Sequence, residues 1–98
     1  MFKPDYYTIK KAALELRSVN NKIRQQIIET IQTAEKGEMT VTQLYVVLRL
    51  EQSVASQHLA ILRKSGVVTT KRDGKFIYYS VDEARLKLIN EKAAELLK

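Results

Sequence analysis

Cysteine is absent from the 98-residue chain, which excludes disulfides, thiolate metal sites, cysteine redox sensing and cysteine nucleophiles together. The fold must therefore hold by packing. Histidine occurs once, at His58, so a zinc site would need carboxylates for every other ligand, an uncommon donor set for that metal. No apolar run approaches the roughly 20 residues that span a bilayer. The start Met1–Phe2–Lys3–Pro4–Asp5 lacks the apolar stretch of a signal peptide, and a cytoplasmic protein is expected. Nucleophile–base pairs, glycine-rich phosphate loops and usefully spaced carboxylate pairs are also missing, so neither catalysis nor a cofactor is expected. One proline, five tyrosines, two phenylalanines and 45% apolar residues describe an ordered chain without low-complexity tracts.

What is present is positive charge. Seventeen basic against eleven acidic residues leave +6, and the pI near 9.7 favours a polyanionic partner, either nucleic acid or an anionic membrane surface. At this length residues 1–98 make one domain with a single modest core.

Ile9, Ala12, Ala13 and Leu16 recur at helical spacing after Pro4–Asp5, predicting an N-terminal helix to about Ser18. A second stripe, Val19, Ile23, Ile27, Ile28 and Ile31, predicts a second helix with Gly37 as its stop. Thr40–Val41–Thr42–Gln43 fits a capping box that opens a short third helix with Val41, Leu44, Tyr45 and Leu48 on one face. A break near Arg49–Glu51 precedes a fourth helix to about Lys64, closed by Ser65–Gly66. The period then becomes extended over Val67–Arg72 and Lys75–Val81, with Asp73–Gly74 predicting a type I′ hairpin turn between them. Asp82 caps a last helix whose stripe is Leu86, Ile89, Ala93, Leu96 and Leu97. The chain is thus mainly α with a small β-hairpin: four helices, a hairpin and a final helix.

A short helix, a tight turn and a second helix followed by a hairpin is the layout of a winged helix-turn-helix. On the fourth helix Ala55, Leu59 and Leu62 share one face, while Ser53, Gln57, Ala60 and Lys64 lie opposite with Ser56 at the edge. That outward face carries no acidic group and suits a major groove, where glutamine pairs with adenine and serine bonds to base edges or phosphates. A solvated helix face would carry the same residue types. Glu51 at the helix start faces phosphates poorly if it points outward. From Gln52 through Val81, Arg63, Lys64, Lys71, Arg72 and Lys75 stand against Asp73 alone, a local +4 of the total +6. Lys71, Arg72 and Lys75 flank the hairpin tip, where they can reach phosphates or a minor groove, or simply keep an edge strand from aggregating. His58 packs at the helix flank or donates to a phosphate.

Leu50–Glu51–Gln52–Ser53–Val54–Ala55–Ser56–Gln57–His58–Leu59, Leu62–Arg63–Lys64–Ser65–Gly66–Val67–Val68 and Arg72–Asp73–Gly74–Lys75–Phe76–Ile77–Tyr78–Tyr79 resemble the arsenical-resistance-repressor (ArsR/SmtB) family of winged-helix regulators. The resemblance spans about Leu16 to Val81. It implies a homodimer, a recognition helix at Gln52 to Lys64, a wing at Lys71 to Lys75, and repression relieved by an effector. DNA contacts are accordingly assigned to Gln52, Ser53, Ser56, Gln57, His58, Arg63, Lys64, Lys71, Arg72 and Lys75. Where metal-sensing members carry Cys–x–Cys, this chain has Thr40 and Thr42, and in the last helix Glu83, Arg85 and Leu96 stand near the usual Asp and His positions. Neither familiar metal site is retained. Glu51 replaces a usual Ser and Gln57 a usual Arg or Lys, so operator preference does not carry over.

A winged-helix core leaves the stripes Ile9–Leu16 and Leu86–Leu97 short of partners, and pairing them across a two-fold axis buries them. The expected partners are double-stranded DNA, as an inverted repeat, and a second copy joined through the terminal helices. The alternatives are a winged-helix module that docks a protein and a dimeric small-molecule sensor without an operator of its own.

Overall fold

The computed structural model describes Glu15 and residues 17–96. The predicted N-terminal stripe Ile9, Ala12, Ala13 and Leu16 lies outside the described residues, although Glu15 and residues 17–19 are helical. Helix α1, Lys22–Gln32, follows, and its start corrects the expected one at Val19. Asn21 is extended and its side chain accepts from the Arg24 amide at 3.1 Å, so the chain breaks there and restarts as a capped helix. Ile27, Ile28 and Ile31 are buried as expected.

Gly37 is not the stop. The helix ends at Gln32, where the Thr33 amide donates to Glu29 O at 3.0 Å and the Ala34 amide to Ile31 O at 3.1 Å, tightening the last turn. Gly37 instead uses its φ of +69° to turn the chain into a strand absent from the sequence reading, β1, Glu38–Met39.

Helix α2, Val41–Leu48, opens with the predicted capping box. The Gln43 amide donates to Thr40 Oγ1 at 3.2 Å and the Thr40 amide to Gln43 Oε1 at 2.9 Å. Arg49 then takes a left-handed conformation (φ 55°, ψ 43°), and the Leu50 amide returns to Tyr45 O at 2.9 Å. That turn sets the angle at which helix α3, Gln52–Lys64, leaves. Its end is a Schellman motif: Gly66, at φ +83°, donates to Arg63 O and Val67 to Leu62 O, both at 3.0 Å.

Strands β2, Val68–Asp73, and β3, Phe76–Val81, form the hairpin, and β1 adds to the free side of β3, giving the antiparallel order β1-β3-β2. Here the turn reading is corrected. Asp73 pairs with Phe76, so the two loop residues are Gly74 and Lys75, and only Gly74 has positive φ, at 63°. A type I′ turn needs positive φ at both loop positions; positive φ at the first alone is the type II′ pattern. Helix α4, Glu83–Leu96, starts on Asp82, whose Oδ1 accepts from the Arg85 amide at 3.0 Å. Of its predicted stripe, Ile89 is buried and Leu86 half-buried, while the Ala93, Leu96 and Leu97 side chains lie outside the described residues.

Ile27, Ile28, Ile31, Leu44, Leu59, Leu62, Val67, Val68 and Ile89 make one core, drawn from three helices before the hairpin, the start of β2 and the last helix. Each such side chain contributes about 1.5–3 kcal/mol by leaving water.

Candidate nucleic-acid interface

The two faces of α3 divide as its spacing dictates. Ala55, Leu59 and Leu62 are buried against the core, which turns Gln52, Ser53, Ser56, Gln57, Ala60, Arg63 and Lys64 outward, all exposed. No acidic residue lies on this helix. Arg63 and Lys64 occupy its last turn, where cations also suit the negative end of the helix dipole. Glu51 sits at the N-cap position, exposed and without a side-chain capping bond.

His58 stands apart from that face. It is half-buried on the flank of α3, with Nδ1 3.2 Å from Arg24 Nη1. A guanidinium can only donate, so Nδ1 accepts and the proton of the neutral ring is assigned to Nε2. Burial first, and the Arg24 charge second, hold the His58 pKa below its ordinary value. Its neighbours in the predicted set gather without it on the outward face.

The hairpin extends the same surface. Pairing puts Val68 with Val81, Thr70 with Tyr79 and Arg72 with Ile77 on one side of the β2–β3 ladder, and Lys71 with Tyr78 on the other. Val68 is buried in the core, so Arg72 and Ile77 continue the inner side outward beyond the helices, where both are exposed. Lys71 leaves from the opposite side. Arg72 Nε donates to Gly74 O at 3.3 Å, and the Lys75 ammonium lies 5.6 Å from the centroid of the Phe76 ring. Lys71 and Arg72 therefore leave opposite sides of the hairpin, with Lys75 at its tip.

Tyr78 and Tyr79 alternate on the strand, so one of the two is expected in the core, and the structure shows that it is Tyr79. It packs against the core and closes a cleft of about 410 Å³ with Ser56, Leu59, Ala60, Arg63 and Lys64, joining wing to helix. Its alternation with the core-facing Val81 was the available signal. Serine hydroxyl, tyrosine hydroxyl and two cations at one notch can bond and neutralise a backbone phosphate, while Gln57 and Ser53 on the helix can read base edges. Among the described residues no group of three His, Asp or Glu side chains gathers to hold a metal ion, and no helix is long and apolar enough to cross a membrane.

A family profile described as "Bacterial regulatory protein, arsR family" matches residues 21–70. The chain is 33% identical over 81 residues to the transcriptional activator HlyU of Vibrio cholerae, covering 83% of this chain and 72% of that protein. It is similar to the crystal structure of NolR from Sinorhizobium fredii, with 32% identity, a TM-score of 0.71 and coverage of 93% of this chain and 92% of that one. The solution structure of the homodimeric winged helix-turn-helix DNA-binding domain Mb0332 from Mycobacterium bovis shares the fold, at 20% identity, a TM-score of 0.75 and coverage of 98% and 90%.

Proposed function

The chain belongs to the arsR family of bacterial regulatory proteins, transcriptional regulators with a winged helix-turn-helix DNA-binding domain, and from that premise we propose that it acts in the cytoplasm as a homodimeric repressor on an inverted-repeat operator. The observation that carries the reading is the acid-free, exposed face of α3 beside a cationic wing. Gln52, Ser53 and Gln57 lie toward base edges, Ser56, Arg63 and Lys64 toward phosphates, and Lys71, Arg72 and Lys75 toward the flanking backbone or minor groove.

The dimer rests on the terminal helices. On α4 the expected stripe is not short of partners at its start, because Ile89 is buried in the chain's own core and Leu86 packs against it; Leu88, about 200° around the helix from Leu86, is 42% exposed and is the apolar side chain a second copy would cover. A two-fold axis there carries two α3 helices to half-sites separated by one or more turns of about 34 Å. Mb0332, which shares the fold, is described as homodimeric, which is consistent with self-association here. Thr40, Thr42, Glu83 and Arg85 are not a soft-metal donor set, so the effector, where one acts, is of another kind.

A protein-docking reading is favoured by one feature, the exposed Val46 and Val47 of α2 beside a groove that also takes in Met39 and Tyr78. Selection of bound duplexes from a random DNA pool near physiological salt, with the protein's mass in solution, separates the two. An enriched inverted repeat bound by a dimer supports the operator reading, and transcription from that repeat shows whether binding represses. No enrichment by an intact dimer overturns it in favour of the docking module.

A further inference from the structure

Arg24 lies in the first turn of α1, and its guanidinium serves three acceptors. Nε donates to Ser18 O and Nη2 to Arg17 O, the latter at 2.9 Å, both carbonyls in the helical stretch that precedes α1. Carbonyls at a helix end have no intrahelical donor, so Arg24 caps that segment. Its third bond runs to His58 Nδ1 on α3, 34 residues away in sequence. Both ion pairs among the described residues belong to Glu15, which leaves the Arg24 guanidinium held by neutral acceptors alone.

We propose that Arg24 is a positioning residue for α3, setting the rotation of that helix about its own axis, through His58, according to where the N-terminal helical segment sits. What the rotation serves rests on the DNA-binding reading above; the link itself does not. Ala55, Leu59 and Leu62 hold α3 to the core along one narrow stripe, and Ala55 offers only a methyl group. Packing of that stripe restrains α3 sterically, and a charge-assisted hydrogen bond at the helix flank adds a directional restraint that selects one rotation. Gln57 precedes His58 by one residue, about 100° around the helix, so a rotation that loosens the Arg24 bond swings Gln57 and Ser56 with it. A shift of about 10–20° is enough to spoil a polar binding constellation.

A second tether reinforces the first. Arg85 donates from Nη2 to Glu15 Oε1 at 2.7 Å and from Nε to Ser65 O, at the C-cap of α3, at 3.1 Å. The same N-terminal segment is thereby bonded to the middle of α3 and to its end.

Arg24→Met keeps the aliphatic stem and removes every donor; His58→Phe keeps a ring and removes the acceptor. Each lowers the affinity ratio between the selected duplex and a random duplex by about 5–10-fold, with random-duplex binding held within about twofold. The double variant falls no further than either single one, because the two residues act as a unit. Arg24→Lys does not rescue, since a point charge lacks the fork that reaches three acceptors. Without DNA, Arg24→Met shifts the backbone amide resonances of α3 at both ends, Gln52–Val54 and Leu62–Lys64, away from residue 58 itself, and the His58 ring titrates higher. Unshifted α3 amides overturn the proposal whatever the DNA result, as does an affinity ratio that survives in Arg24→Met while wild type prefers the selected duplex. If wild type prefers no duplex, the DNA-binding reading fails separately, and the α3 amides still decide the Arg24 link.

Discussion

Arg85 of α4 meets Glu15 at 2.7 Å, in a pair whose acidic side chain is only 5% exposed while the arginine remains 30% exposed. Lys92 reaches the other Glu15 oxygen at 3.2 Å and is 38% exposed. One buried carboxylate thus ties the N-terminal segment to the last helix at two points, with both cations still partly in water.

Removing that carboxylate is the first prediction. Glu15→Ala leaves Arg85 and Lys92 free to rehydrate, so the loss falls below the ~3–5 kcal/mol of breaking a fully buried pair. About 1–2 kcal/mol is expected, read as a lower urea midpoint with an unchanged slope. An unmoved midpoint would show that the triad contributes nothing net.

Gly66→Ala tests the end of α3. The residue sits at φ +83°, and an added Cβ would come to 3.4 Å from Arg85 Nε, the atom that also bonds Ser65 O. Left-handed strain of about 1–2 kcal/mol is expected, at about 4–8 °C of melting temperature per kcal/mol in a domain of this size. A melting temperature equal to wild type would mean that the cap is not strained by a side chain.

Such local devices were the legible part of the chain. Thr40 with Gln43 and Asp82 with the Arg85 amide are contacts three residues apart, and α3's faces follow from the helical period alone. β1 was not legible, because two residues carry no period and become a strand only by pairing Glu38 with Ser80 and Met39 with Tyr79. Asp73–Gly74 is a strong turn signal, yet the pairing of Asp73 with Phe76 moved the loop by one residue. Arg24 with His58 and Arg85 with Glu15 lie 34 and 70 residues apart, joined by packing that no short-range pattern encodes.

The His58 ring makes stability depend on pH. Its folded pKa lies below the ordinary 6.5, so between the two values the unfolded chain holds a proton that the native chain does not. The contribution of the neutral ring is fully present above about 6.5 and is lost as the pH falls through the folded pKa. Urea midpoints for wild type should therefore fall on acidification from about pH 7.5 to about pH 5, and more steeply than for His58→Gln, where carboxylates alone respond. Equal slopes in the two proteins would place the histidine outside this linkage.

The last prediction separates reading from holding. Gln57 is exposed on α3 and offers a paired donor and acceptor, so Gln57→Ala should alter which base is preferred at one position per half-site, at about 1–3 kcal/mol of discrimination. Lys71 and Arg72 leave opposite sides of the wing, and in the proposed docking each reaches the charged backbone, so Lys71→Ala or Arg72→Ala should weaken all duplexes alike. Each should also lower the slope of log affinity against log salt by about 1, because one fewer phosphate is neutralised and fewer counterions are released. Binding titrations across a salt series on the selected duplex and on point variants of it measure both effects. If the wing variants changed base preference while Gln57→Ala changed only the salt slope, the roles of helix and wing would be reversed, and α3 would not be the element in the major groove.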